Sequence, residues 1–274
     1  MKTVPLYEGA EKKSYYKYFQ PIEHVSDDEI KKVKVIETDV SLPPKFSERA
    51  IIQTEEYTPV PEGIYLMDDG TIFVSAITPT PELTGEMLDW WIIWHQLDSL
   101  RYALWNPEDH YDVKISDKDR RRILDESLSI RERGWGITTN ILESMNGEKP
   151  FGGALKFEEP STVGLKNELI GGDYCQAILV ANNVIKIGPI EYPVFMCELL
   201  RKNTEGKNEW VVAAWMGHGV KNGKDVTIKL PKFIRKIIAK GMPTMFIVHN
   251  HKEVAHLCKF LPELYVEQKD NWIE

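Results

Sequence analysis

Residues 242–260 constrain the fold of this chain more than any other stretch. Met242, Phe246, His249, Glu253, His256 and Phe260 recur there at spacings of 3 and 4, one stripe of a long helix that Pro243 opens and that reaches about Phe260, before Pro262. A stripe of this kind needs an apolar surface to lie on, and the preceding segments supply one. The runs 175–187 (CQAILVANNVIKI), 193–202 and 208–217 read as strands, the last two forming a hairpin across NTEGKN, and another strand is expected at 153–158. In GITTNILESMNG, Ile137, Thr139, Ile141 and Glu143 alternate with Thr138, Asn140, Leu142 and Ser144. Glu143 therefore points to the same side as two isoleucines, just ahead of an Asn146-Gly147 turn. A shorter helix, Pro231 to Ala239, is closed by Gly241. The expected class is α+β: an antiparallel sheet with helices gathered on one face, closing on a long C-terminal helix.

Upstream, Thr80 is placed to cap and Pro81 to start a helix over about 82–105, in which His95, Asp98 and Tyr102 share a face with Trp91. Asn106-Pro107 ends it, and Glu108 to Tyr111 follow as a loop. Ser116 with Asp119 opens a charged helix over about 117–132. Residues 1–80 are dotted with proline, with strand candidates at Ile51 to Gln53 and Thr71 to Ile77. They are expected to form a small N-terminal subdomain or a wrapping arm.

The net charge of -8 and pI near 5.5 argue against a nucleic-acid partner, since the dense basic run Arg120, Arg121, Arg122 is interleaved with Asp117, Asp119, Asp125 and Glu126. No membrane partner is expected either. WWIIW at 90–94 is bounded by Asp89, His95, Asp98 and Arg101, far short of the ~20 apolar residues of a span, and the N-terminal stretch has no apolar signal region. Cys175, Cys197 and Cys258 are odd in number and widely spaced, which indicates neither a disulfide framework nor a thiolate zinc knuckle and suits a reducing cytoplasm.

His249 and Glu253 stand four residues apart, so their side chains rise from one helix face with Cβ atoms roughly 6 Å apart. Such a pair is either a surface ion pair or half of a cation site. Both residues interrupt an apolar face, where an uncompensated charge is costly.

The run WWIIWHQLDSLRYALW followed by NPEDHY, the strand ending in LES, and HNHKE with FLPELY together resemble the diacetylphloroglucinol and phloretin hydrolase family, over roughly residues 80–265. The resemblance implies a Bet v 1-like helix-grip fold, with residues 81–274 as the catalytic domain behind the N-terminal extension 1–80. It also implies a zinc site ligated by His110, Glu143, His249 and Glu253. Two imidazoles and two carboxylates would equally accept Fe2+ or Mn2+, so Zn2+ leads through the resemblance and not through ligand type. Tyr102 matches a family tyrosine that contacts the substrate, and His95 is a further candidate catalytic residue whose other reading is a buried structural histidine.

The implied reaction is hydrolysis of the C–C bond between an acyl group and a phenolic ring, on a small acylated phenol or related ketone. One departure bears on it. The family carries a histidine on the strand before the hairpin turn, where it contacts a phenolic oxygen and assists proton transfer; FMCELLRK has none, and Glu198 is the nearest match. Ala213 and Ala214 stand where the family has larger polar or aromatic groups. The alternatives are the same metal site acting on another cyclic ketone, or a non-catalytic carrier of an apolar ligand. Apolar surface on the N-terminal arm leaves a homodimer open.

Overall fold

The computed structural model describes residues 3–22 and 26–274. Strands form where the sequence alternates, and six of them make one sheet in the order β1 (Val35–Ile36), β2 (Gly63–Leu66), β3 (Ile72–Pro79), β9 (Asn208–Met216), β8 (Ile190–Lys202), β7 (Ala177–Ile187). All neighbours are antiparallel except β1 and β2. A second sheet, β4 (His110–Ile115), β5 (Thr138–Glu143) and β6 (Phe151–Lys156), continues onto β7 through the single bridge Phe157 to Ala181. β10 (His218–Lys221) and β11 (Lys224–Thr227) form a separate hairpin. The helices are α1 (Asp27–Lys32), α2 (Gly85–Trp94), α3 (Ser99–Trp105), α4 (Asp117–Ile123), α5 (Ile130–Gly134), α6 (Lys232–Ala239) and α7 (Met242–Gln268). α7 lies against β3, α2 and α3, which gives the α+β helix-grip arrangement expected from the sequence.

The period of two along each strand explains how the main sheet serves two cores. Val74, Val212, Ala214, Leu200 and Met216 face α7, while Phe73, Phe195, Cys197, Leu199, Val211 and Trp215 face the other way. That second face is not bare: Phe46, Ile52, Tyr57, Val60, Val163 and Leu165 cover it. These residues come from segments of little regular structure, including a 3-10 helix at Phe46–Gln53 where a strand was expected at 51–53.

Three helix expectations change. The helix expected over 82–105 breaks at Asp98, which is extended because its carboxylate accepts the backbone N–H of Leu100 at 2.8 Å and so starts a new helix. The actual cap of α2 is Thr84, whose Oγ1 accepts from Met87, and not Thr80. The charged segment 117–132 also divides, with Ser116 capping α4 as expected and a Ser129–Glu132 capping box starting α5. In the other direction, α7 does not stop before Pro262 but runs through it to Gln268. Pro262 costs the helix one hydrogen bond, and burial of Phe260, Leu261 and Leu264 around it offsets the loss.

Residues 63–79, N-terminal to the division drawn at residue 80, supply β2 and β3 of the main sheet. From the N-terminal segment, Lys17 and Tyr18 reach the C-terminal half of α7, where Lys17 pairs with Glu267 at 2.6 Å and Tyr18 donates to the same carboxylate at 2.9 Å. No helix among the described residues is long and apolar enough to cross a membrane.

Candidate metal centre

Four side chains from three elements converge beneath the first half of α7. His110 is the first residue of β4 and not a loop residue; it pairs with Glu143 at the end of β5, and a bulge at Tyr111 shifts the register before Asp112 meets Leu142. His249 and Glu253 descend from α7 one turn apart. His110 Nε2 lies 3.3 Å from His249 Nε2, 3.2 Å from Glu253 Oε2 and 4.0 Å from Glu143 Oε2, and His249 Nε2 lies 3.1 Å from Glu253 Oε2. The donor atoms of His110, Glu143 and His249 all lie within 4.8 Å of one another, a spacing that one ion can bridge. All four side chains are buried.

Electrostatics bear on the fit. Burial works against charge on both His249 and Glu253, yet the imidazole is raised to about 10 by Glu253 and Asp109, and the carboxylate is lowered to about 2 by His249 and His110. Carboxylates this deep are ionised only because cationic charge faces them. A divalent cation supplies that charge as well as a proton on His249 does, so the donor set fits a metal.

Asp109, beside His110, organises the surroundings, a role that sequence reasoning missed. It is fully buried; its carboxylate accepts from Ser144 Oγ at 2.5 Å, Gly147 N at 2.8 Å and Asn146 N at 3.1 Å, and approaches His249 Nδ1 at 3.5 Å. It thereby fixes the turn after Glu143, in which Asn146 and Gly147 both have positive φ as the Asn-Gly pair requires. Buried Lys252 pairs with Glu108 and stands 3.5 Å from Asp109. The one local signal is Asn106, whose Oδ1 accepts from the Glu108 and Asp109 backbone in a side-chain turn.

Tyr102 is buried with its hydroxyl donating to Glu143 Oε2 at 2.6 Å, and its ring stacks on His110 at 3.9 Å and on His95 at 5.9 Å. Burial and Glu143 keep that hydroxyl protonated well above the usual range. Asp98 leaves the face it was expected to share with them and accepts from Tyr7 OH. His256 does not touch the four; its ring lies 5.3 Å from Phe260 and its Nε2 is sealed without a partner. His218 is on the far face of the sheet, stacked on Phe46 at 4.8 Å.

A cavity of about 460 Å3 opens from these four residues between α7 and the sheet. Val74, Leu179, Val194, Met196, Ala214 and Met216 line one wall, and Met242, Pro243 and Phe246 of α7 line the other. Ala214 faces this space, whereas Ala213 belongs to the opposite core. Glu198 projects into the cavity from β8; burial, reinforced by Glu253, pushes its carboxyl up to about 8. The Trp210 indole opposes that shift only weakly, since its N–H meets no partner at hydrogen-bond distance.

The sequence profile described as DAPG hydrolase PhiG domain matches residues 42–266. The chain belongs to this family. A member named phloretin hydrolase, from Eubacterium ramulus, is 29% identical over 276 residues, covering 98% of this chain and 95% of its own. The family's 2,4-diacetylphloroglucinol hydrolase from a Pseudomonas species is 26% identical over 268 residues, covering 93% of this chain and 88% of its own. The family expected from the sequence, and the hydrolase class expected with it, both hold. Among solved structures, Ara h 8.0201 aligns with a TM-score of 0.38 at 10% identity, covering 71% of this chain and 99% of that one. Norcoclaurine synthase from Thalictrum flavum aligns with a TM-score of 0.35 at 14% identity, covering 78% and 98%.

Proposed function

We propose that this protein is a metal-dependent hydrolase that cleaves the C–C bond between an acyl group and a phenolic ring, with His110, Glu143, His249 and Glu253 holding one divalent ion. The observation that carries the reading is the convergence of two imidazoles and two carboxylates, all buried, at the end of a mostly apolar cavity. Zn2+ is the ion proposed, by family resemblance, and Fe2+ or Mn2+ suits the same donors. Such an ion polarises an oxygen and lowers the pKa of bound water to about 7.

The chain's own residues do the rest. Tyr102 holds one oxygen of Glu143 and is itself clamped between two imidazole rings, so both Glu143 and His110 are oriented before substrate arrives. Asp109 ties the turn after Glu143 to the His249 side of the site. The aliphatic walls exclude bulk water. In the overall change a water hydroxyl joins the acyl carbon, the acyl–ring bond breaks, and a proton reaches the ring carbon, giving a carboxylic acid and the deacylated phenol. Glu198, protonated at neutral pH and facing the cavity, is the residue proposed to deliver that proton. The three free cysteines suit a cytoplasmic setting.

A second reading, another cyclic ketone as substrate, is favoured by Glu198 and Ala214 standing where the family has a histidine and larger groups. The test combines elemental analysis of purified protein with incubation on phloretin, diacetylphloroglucinol and simpler acylphenols. One divalent ion per chain, with release of free acid and deacylated phenol, is the expected result. Metal-replete protein that cleaves none of them would favour the second reading. A chain holding no stoichiometric ion, whose Glu143→Ala variant binds ligand as well as the parent, would instead be a carrier.

A further inference from the structure

The cavity wall presents a polar atom with a fixed polarity and no partner, Nε2 of His95. The ring is held in an aromatic box, 5.2 Å from Trp105, 5.4 Å from Trp91 and 5.9 Å from Tyr102. Its Nδ1 lies 2.7 Å from the carbonyl oxygen of Trp91. A carbonyl can only accept, so Nδ1 carries the proton and Nε2 offers a lone pair. The side chain is only 4% exposed, lines the cavity, and makes no hydrogen bond through Nε2 to any described residue. Nor is that nitrogen sealed away as Nε2 of His256 is. Burial holds the ring neutral by lowering its pKa to about 4. The box prevents rotation that would exchange the two nitrogens.

A buried acceptor left unpaired is unfavourable, and a ligand O–H relieves it where a methyl ether cannot. We propose that His95 Nε2 accepts a hydrogen bond from a ring hydroxyl of the bound phenol, making His95 a specificity-determining residue that selects free phenols over their ethers. The inference rests on the acylphenol reading above and adds to it which oxygen chemistry the wall demands.

The test measures binding, not turnover. Phloroglucinol and its trimethyl ether are titrated calorimetrically into the metal-loaded parent and into His95→Phe, which keeps a ring in the box and removes the acceptor. The parent is expected to prefer phloroglucinol by at least about tenfold, and the variant by less than about threefold, with the ether's own affinity unchanged. A preference that survives in His95→Phe reflects the ether's bulk and overturns the proposal. Should that variant fold poorly, imidazole 15N spectra of the parent decide: the His95 Nε2 signal moves with phloroglucinol and stays put with the ether, and a signal unmoved by phloroglucinol overturns the proposal. A parent that binds phloroglucinol through His95 yet releases no acid from phloretin would sink the proposed reaction and leave this inference standing. Binding of neither probe would sink both.

Discussion

The two halves of α7 are packed in opposite ways. Past Glu253, Val254, Leu257, Phe260, Leu261 and Leu264 are buried in a solid core with Trp90, Trp91, Trp94 and Trp105, whose rings contact one another and Phe260. Before it, Met242, Pro243 and Phe246 stand over a hollow of about 460 Å3. One half therefore anchors the helix by dense packing, and the other is free to hold charged groups away from water. The buried polar groups are thus supported from the side: Trp91 and Trp105 press on His95, and Trp105 on His110.

Three substitutions test this contrast, in descending order of effect on stability. Trp91→Ala empties the packed half; it is fully buried, and unfolding by denaturant should show a loss of about 3–5 kcal/mol. A loss below about 1 kcal/mol would mean the packed half does not anchor the helix. Glu198→Gln tests the hollow half through pH. Because burial raises the Glu198 carboxyl from its ordinary value to about 8, the folded state binds this proton more tightly than the unfolded one. The parent's stability from this group is complete below about 4.5 and falls as pH rises through about 8. In chelator-treated protein the variant should therefore gain relative to the parent, by little at pH near 4.5 and by up to a few kcal/mol near pH 9. A pH-independent difference in melting temperature would contradict it. Ala214→Leu fills part of the hollow and should change stability by less than about 1 kcal/mol, while weakening phenol binding at least about tenfold. If stability drops as it would on overpacking a dense core, the space is not there.

Much of this contrast is legible in the sequence, and the reasons are physical. Periodicity locates α7's stripe, the β8–β9 hairpin and the inward face of Glu143, because each depends only on residues nearby in the chain. His249 and Glu253 stand out since acids and imidazoles rarely interrupt an apolar stripe without a partner. Asp98 and Pro262 mislead in opposite directions. At Asp98 a side-chain cap overrides an otherwise helical pattern; at Pro262 burial of the flanking residues overrides a helix breaker. Asp109 and Lys252 were out of reach because their partners lie far along the chain: Ser144 is 35 residues from Asp109, and Glu108 is 144 from Lys252. The covering of the outer sheet face by residues 46–60 is hidden for the same reason, since irregular segments carry no period.

The bulge at Tyr111 imposes a counting rule on this edge. His110 and Val113 are an odd number of positions apart, yet both are buried, Val113 against Tyr102 and Ile141, which a regular strand forbids. The extra residue restores parity. Were the strand regular at its present length, either the imidazole or the valine would turn out toward solvent, so the bulge is what lets both face inward across an odd spacing.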